Sequence, residues 1–329
     1  MPRPEYPASI FEFQSYFPDE LSCVKFLMAS RWPDGFKCPR CGSGDFYYIE
    51  GRHLLQCQNC RRQTSATAGT VMHKTRQPLR AWFWAAYLVT THTPGLSAVQ
   101  LKRQLGGKVH YETAFLMLHK LRAAMVREGR EKLRGVVEVD ETFIGGREAD
   151  MPGRAGSKPI VVGAVEDKGE SAGRVRLRLI PNAGRRTLEK FIRENVELGS
   201  EVRTDGWAGY NALSKLGYRH MATIEGSPEM AVVILPHVHR AFANLKTWLL
   251  GTHHGAVSWQ HMQAYLNEFV FRYNRRGTPM AGFQTVLGLA DERLGPTYEG
   301  LYGIAKGETE YAHPNPGELR EITHAELTR

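Results

Sequence analysis

A chain of 329 residues has room for two or three modules that each bury a core, and a composition of 42% hydrophobic and 23% charged residues excludes wholesale disorder. No run of eighteen apolar residues occurs, and "MPRPEYPASIFEF" lacks the basic-then-apolar layout of a signal peptide. The expectation is therefore a cytoplasmic protein without a membrane partner. The net charge of +9 is uneven: residues 1–134 carry 20 Lys and Arg against 10 Asp and Glu, and the remainder carries 23 against 24. A basic module joined to a neutral one suits a polyanion, nucleic acid foremost, although a solubility surface has the same composition.

In chain order, the first helical pattern is "DELSCVKFLMASRW", with Leu21, Val24, Leu27 and Met28 at helical spacing. Four of the five cysteines then form two pairs, Cys38 and Cys41 in "CPRC" and Cys57 and Cys60 in "CQNC". Two such knuckles joined by a hairpin ("FYYIEGRHLLQ", turning at Glu50–Gly51) close a four-thiolate tetrahedral site with no open position, so the spacing predicts a structural zinc. Cys23 falls on the helical face and reads as a core residue. Arg61 and Arg62 beside the second knuckle suit phosphate contacts and equally a solvated face.

Residues 76–127 read as three helices. The first, "RQPLRAWFWAAYLVTTH", is apolar enough to be buried. "LSAVQLKRQLGG", with Ser97 as N-cap, and "YETAFLMLHKLRAAM" are separated by a glycine turn, which is the helix-turn-helix layout. That arrangement puts Lys108, His110, Tyr111, Thr113 and Lys120 near the leading end or outer face of the second helix, facing DNA.

From residue 135 onward three strands ("GVVEVDETFIGG", "KPIVVGAVED", "RVRLRLIP") precede a helix, a strand with Asp205 in "EVRTDG", a helix in "WAGYNALSKLG", a strand near 219–225 and a final helix. This is the order of the α/β RNase H-like fold, a mixed five-stranded sheet with flanking helices, in which the first and fourth strands adjoin at the centre. Asp140 and Asp205 then face the same cations. Two carboxylates that hold two divalent ions about 4 Å apart serve phosphodiester chemistry, and magnesium or manganese takes such oxygen ligands. An Asp in the apolar strand "VVEVD" is costly to bury unless it is paired or metal-bound. Glu138, two residues from Asp140, shares its face and is expected to be an outer partner, whereas Glu141 points the other way.

The last helix, "LPHVHRAFANLKTWL", offers no carboxylate. Lys246 follows His239 by seven residues, so both project from one face, whereas Asn244 is turned away and His237 is less well placed. Elsewhere, Arg174, Arg176 and Arg178 form a basic row that suits DNA or solvent, and Trp207 and Tyr210 suit base stacking or core packing.

Together "CPRC…CQNC", "VEVDETFIGG", "RTDGWAGY" and "HRAFANLKTWLLGTHHG" resemble DDE-type transposases of bacterial insertion sequences, the branch with an N-terminal zinc ribbon and an RNase H-like (integrase-like) core, over about residues 31–275. The resemblance implies metal ligands at Asp140, Asp205 and His239, with Lys246 contacting the element's DNA end. The third ligand is usually Glu in the superfamily; imidazole there favours manganese or later metals over magnesium. Binding of terminal inverted repeats is expected through the ribbon and helix-turn-helix, with Arg61, Arg62, Lys108, Tyr111 and Lys120 as DNA contacts by residue type and placement, and Lys246 by the resemblance. Metal-dependent strand cleavage and transfer would follow, by a homo-oligomer acting on element ends and target in the nucleoid. A catalytically inactive DNA-binding regulator and a structure-specific nuclease are the alternatives. The expected organisation is a helix and zinc ribbon (1–75), a helix-turn-helix-like module (76–134), a catalytic core (135–276) and a loosely packed extension without chemistry (277–329).

Overall fold

The structure is a computed structural model that describes residues 7–126, 129–145, 159–223, 234–255, 257–290, 295–297 and 300–301. The chain divides into two compact units, one of residues 1–128 with 277–329 and the other of residues 129–276.

In the first unit, α1 (Ile10–Tyr16) is capped by the Ser9 hydroxyl, and α2 (Glu20–Arg31) opens on a reciprocal capping box between Asp19 and Ser22. The Glu20 carboxylate accepts the Leu79 and Arg80 backbone N–H groups at 2.7 and 3.2 Å, closing the start of α3 (Leu79–Thr91) behind Pro78. Strands β1 (Phe46–Ile49), β2 (Leu54–Cys57) and β3 (Gln63–Ser65) form an antiparallel sheet, one strand more than the expected hairpin. Helices α4 (Ala98–Gln104) and α5 (Tyr111–Ala124) flank a turn in which Gly106 and Gly107 both hold φ +70.

The expectation of a loosely packed, partly disordered extension over residues 277–329 needs correction where the chain is described; its greater part lies outside the described residues. Its described part includes a helix, Pro279–Ala290, that packs on α3 and α5. Phe283, Val286 and Leu287 are fully buried, and Phe283 joins an aromatic cluster with Phe13, Phe17, Phe26 and Phe83. The spacing of these three residues is helical, but scattered glycine and proline hid it in the composition.

In the second unit the five-stranded sheet has β4 (Val136–Phe143) at its centre. Antiparallel β5 (Ile160–Asp167) and β6 (Ala172–Ile180) lie on one side, and parallel β7 (Glu201–Asp205) and β8 (Arg219–Thr223) on the other. Alternation along the strands divides the core by face. Val137, Val139, Val162, Ala164 and Val202 pack with Leu188, Phe191 and Ile192 of α6 (Arg185–Asn195). Val161, Val165, Val175 and Leu177 pack beneath α7 (Pro236–His253) and α8 (Met262–Tyr273). The helix expected in "WAGYNALSKLG" is instead two 3-10 turns, Ala208–Tyr210 and Leu213–Leu216, the second stopped by Gly217 at φ +89.

Candidate active site

The parallel β4–β7 ladder pairs Glu138 with Arg203, and the same register carried two residues on brings Asp140 level with Asp205, the last residue of β7. Both carboxylates sit on the sheet face that α7 covers. Asp140 is 9% exposed, and Asp205 accepts the Trp207 backbone N–H at 3.1 Å. On the opposite face Tyr210 is wholly buried and donates its hydroxyl to Glu141. Burial pushes the Glu141 carboxyl up, the Tyr210 bond lowers it in part, and the charge of Asp205 adds to the rise.

α7 runs along β4. The backbone N–H groups of His237 and Val238 donate to Glu138 Oε2 at 2.8 Å each, His239 Nε2 lies 3.8 Å from Asp140 Oδ2, and Lys246 Nζ donates to Thr142 Oγ1 at 2.8 Å. Four strand steps from Glu138 to Thr142 cover about 13 Å, as do nine helical residues from His237 to Lys246, so the two elements stay in step. The structure thus brings together Asp140, His239 and Lys246 along one strand–helix seam, with Asp205 on the adjoining strand. Asn244 is exposed. Glu138, expected as an outer partner, caps the helix N-terminus. Sequence gave no signal for that bond, because donor and acceptor lie about a hundred residues apart.

Among the described residues, two sets of three or more metal-capable side chains converge within 4.8 Å: the four ribbon cysteines, and Glu138, Asp167 and His237. Neither includes Asp140, Asp205 or His239. In the second set, His237 Nε2 lies 2.9 Å from the Gly169 carbonyl and 3.2 Å from Asp167 Oδ1. A carbonyl only accepts, so Nε2 carries a proton, and the lone pair of the ring is left on the buried Nδ1, which has no hydrogen-bond partner among the described residues. Asp167 is also engaged, by the Gly169 N–H at 2.7 Å and by Arg203 at 3.1 Å. This set is a hydrogen-bonded brace.

The ribbon cysteines fit zinc. Sγ atoms approach to 3.5 Å in the pairs Cys38–Cys60 and Cys41–Cys57, close to the edge of a tetrahedron with about 2.3 Å bonds. The knuckles repeat one pattern: Gly42 and Arg61, both at positive φ, donate to the Cys38 and Cys57 carbonyls at 2.9 and 3.1 Å. The Cys60 backbone N–H aimed at the Cys57 sulfur outweighs burial and holds that thiol down at about 6, whereas against the Arg62 backbone N–H, burial and the neighbouring cysteine sulfurs push Cys60 up to about 11.

The remaining sequence candidates are placed as follows. Arg61 and Lys108 are exposed, Arg62 is half-buried, and Tyr111 is 42% exposed and stacked on Phe115. Lys120 does not stand on an open face. It is half-buried, its stem lies within 2.7 Å of where a Cβ at Gly295 would sit, and burial lowers its pKa. The basic row on β6 is largely neutralised: Arg174 pairs with Glu166 and Glu131, Arg176 is 7% exposed and bonds to backbone carbonyls, and Arg178 pairs with Glu194. Tyr210 is too deep to stack on a base, whereas Trp207 is 50% exposed with its indole N–H on the Ala183 carbonyl.

A five-stranded sheet in this order, an aspartate within its central strand and another at the end of the adjoining parallel strand, and a helix laid along the central strand define an RNase H-like core. Residues 132–274 match the ISXO2-like transposase domain and residues 18–63 match the transposase zinc-ribbon domain, together more than half of the chain. The chain belongs to this family of zinc-ribbon, DDE-type insertion-sequence transposases. No curated protein matches it. Among solved structures, the catalytic core domain of BIV integrase aligns at 18% identity and TM-score 0.25, covering 52% of this chain and 95% of that one. The Mos1 transposase paired-end complex with left transposon end aligns at 12% and 0.26, covering 65% and 80%. At those scores the likeness carries no argument, and the fold rests on the sheet order itself.

Proposed function

We propose that this chain is an insertion-sequence transposase that binds the terminal inverted repeats of its element, cleaves DNA at the element edge and joins the freed 3′-hydroxyl to target DNA. The observation that carries this reading is the juxtaposition of Asp140 and His239 beside Asp205. Asp140, Asp205 and His239 would hold two divalent ions, magnesium or manganese, which would supply Lewis-acid activation of the attacking oxygen and charge neutralisation at the leaving one. The 3.8 Å between Asp140 Oδ2 and His239 Nε2 suits two ligands of one ion, since bonds of about 2.1 Å put ligand atoms about 3 to 4.2 Å apart.

Lys246, exposed and steadied by Thr142, supplies an ammonium for a DNA phosphate at the mouth of the site. Arg61, Arg62, Lys108, Tyr111 and Lys120 contribute to DNA binding in the N-terminal unit, Lys120 only as far as its half-buried stem allows. Zinc in the ribbon is structural. Two element ends must be joined in one reaction, so the protein works as a homo-oligomer on DNA, in the nucleoid.

The test is cleavage of a labelled duplex that carries the gene's own flanking DNA, in magnesium or manganese. Asp205→Ala and His239→Ala are expected to abolish cutting at the element edge while leaving DNA binding intact. Lys246→Ala should lower the salt dependence of binding by about one phosphate contact. Repeat-specific binding without cutting in either metal would overturn the catalytic reading and leave a DNA-binding regulator.

A further inference from the structure

The start of α7 is built without local help. Its N-cap residue, Leu235, has no side-chain acceptor, and Pro236 at the first position removes one orphan N–H. The His239 N–H already bonds to the Leu235 carbonyl at 3.2 Å, so within the helix proper the orphan donors are those of His237 and Val238. Glu138 Oε2 takes both, and its negative charge also suits the helix end. Glu138 is 1% exposed and stands two residues before Asp140 on the same strand and face. The same first turn is held again from the side, where the His237 imidazole sits on the Gly169 carbonyl and Asp167.

We infer that Glu138 is a positioning residue for the metal site: by fixing the backbone of His237 and Val238 to the strand that carries Asp140, it sets the height and rotation of α7 at which His239 meets Asp140. This inference rests on the proposed role of His239 and Asp140 as ligands. Three side chains in a row (Glu138, Asp140, Thr142) grip one helix at its start, at His239 and at Lys246. The grip at the start limits the azimuth of the next residue, because two backbone N–H groups held on one buried carboxylate oxygen leave the first turn little room to roll or slide. Glu138 touches no reacting atom. Its loss should therefore act only through His239. Groups that orient a metal ligand in this way change affinity by about 10–100-fold when removed.

The experiment is Mn2+ binding to the full-length, zinc-loaded protein by titration calorimetry, without DNA, for wild type, Glu138→Ala, Glu138→Gln, His239→Ala, the double variants and Asp205→Ala. Hydrogen exchange at the His237 and Val238 amides reports the cap. Expected are faster exchange at both amides in Glu138→Ala and Mn2+ binding about 10–100-fold weaker. Glu138→Gln, which keeps an acceptor oxygen, should lie between it and wild type, and neither substitution should weaken binding further once His239 is Ala. If Glu138→Ala does not fold, the intermediate loss in Glu138→Gln and its disappearance beside His239→Ala carry the test alone. Unchanged Mn2+ affinity despite a lost cap, or losses that add fully to His239→Ala, would overturn the positioning role. Failure of the underlying reading is separate and visible: Asp205→Ala would then bind Mn2+ as wild type does.

Discussion

Gly163 and Phe242 occupy one another's space: a Cβ at Gly163 would lie 2.7 Å from Phe242 Cε1 and 2.8 Å from Cζ. Gly163 pairs directly with Asp140 across the β4–β5 ladder, and Phe242 follows His239 by three residues, under one turn of α7. The missing side chain thus lets α7 settle onto the sheet at the height that leaves His239 3.8 Å from Asp140. A glycine inside a strand signals such a close approach.

Gly163→Ala should therefore lift α7 locally. Overpacking of this kind costs about 1–3 kcal/mol, measurable as a lower urea midpoint. Cleavage activity should fall by more than the unfolded fraction accounts for. Activity unchanged at the lowered stability would show that the height of α7 does not tune the site.

His239→Glu converts the ligand set to oxygen only. Hard oxygen donors favour magnesium, and imidazole favours manganese and later metals. The ratio of cleavage rates in magnesium to those in manganese is expected to rise by at least about tenfold, the scale on which the surroundings of a metal tune it. A ratio that does not move would remove His239 from the ligand set.

Cys57→Ala should release the ribbon's zinc. Among the described residues, the local core around the four thiols has Phe36 and Leu55 buried and Met28, Trp32, Phe46 and Tyr48 half-buried against them, a small core for three short strands. Elemental analysis should give one zinc per wild-type chain and none in the variant, and amide protection across β1, β2 and β3 should vanish. Protection that survives zinc loss would contradict this account.

Glu166 gives a pH dependence of defined sign. Burial pushes its carboxyl up, but the Arg174 guanidinium and the backbone N–H groups of Arg174 and Arg134 outweigh burial and hold it at about 2. A carboxyl depressed in the folded state stabilises above its unfolded pKa of about 4.3, and that contribution is lost as pH falls from there toward about 2. The stability difference between wild type and Glu166→Gln should therefore be constant above pH 5 and shrink below it in denaturant titrations. A difference independent of pH would show that the Glu166 charge contributes nothing.

The sequence by itself determined the order of the core's strands, the ribbon and the positions of Asp140 and Asp205, because these depend on local patterns. Alternating apolar residues build the strands, paired cysteines build the knuckles, and an aspartate within an apolar strand announces its cost. The helical repeat also put His239 and Lys246 on one face, which is a property of a single element. What only the tertiary structure decided is everything that joins distant segments. Glu138 serves a helix a hundred residues away, Glu166 and Glu194 neutralise Arg174 and Arg178 of a strand that composition made look basic, and Phe283 returns to a core formed by residues near the start of the chain. Hydrogen bonds and close packing are short-ranged in space, so their partners are set by which elements come within a few ångströms, and no periodicity along the chain encodes that.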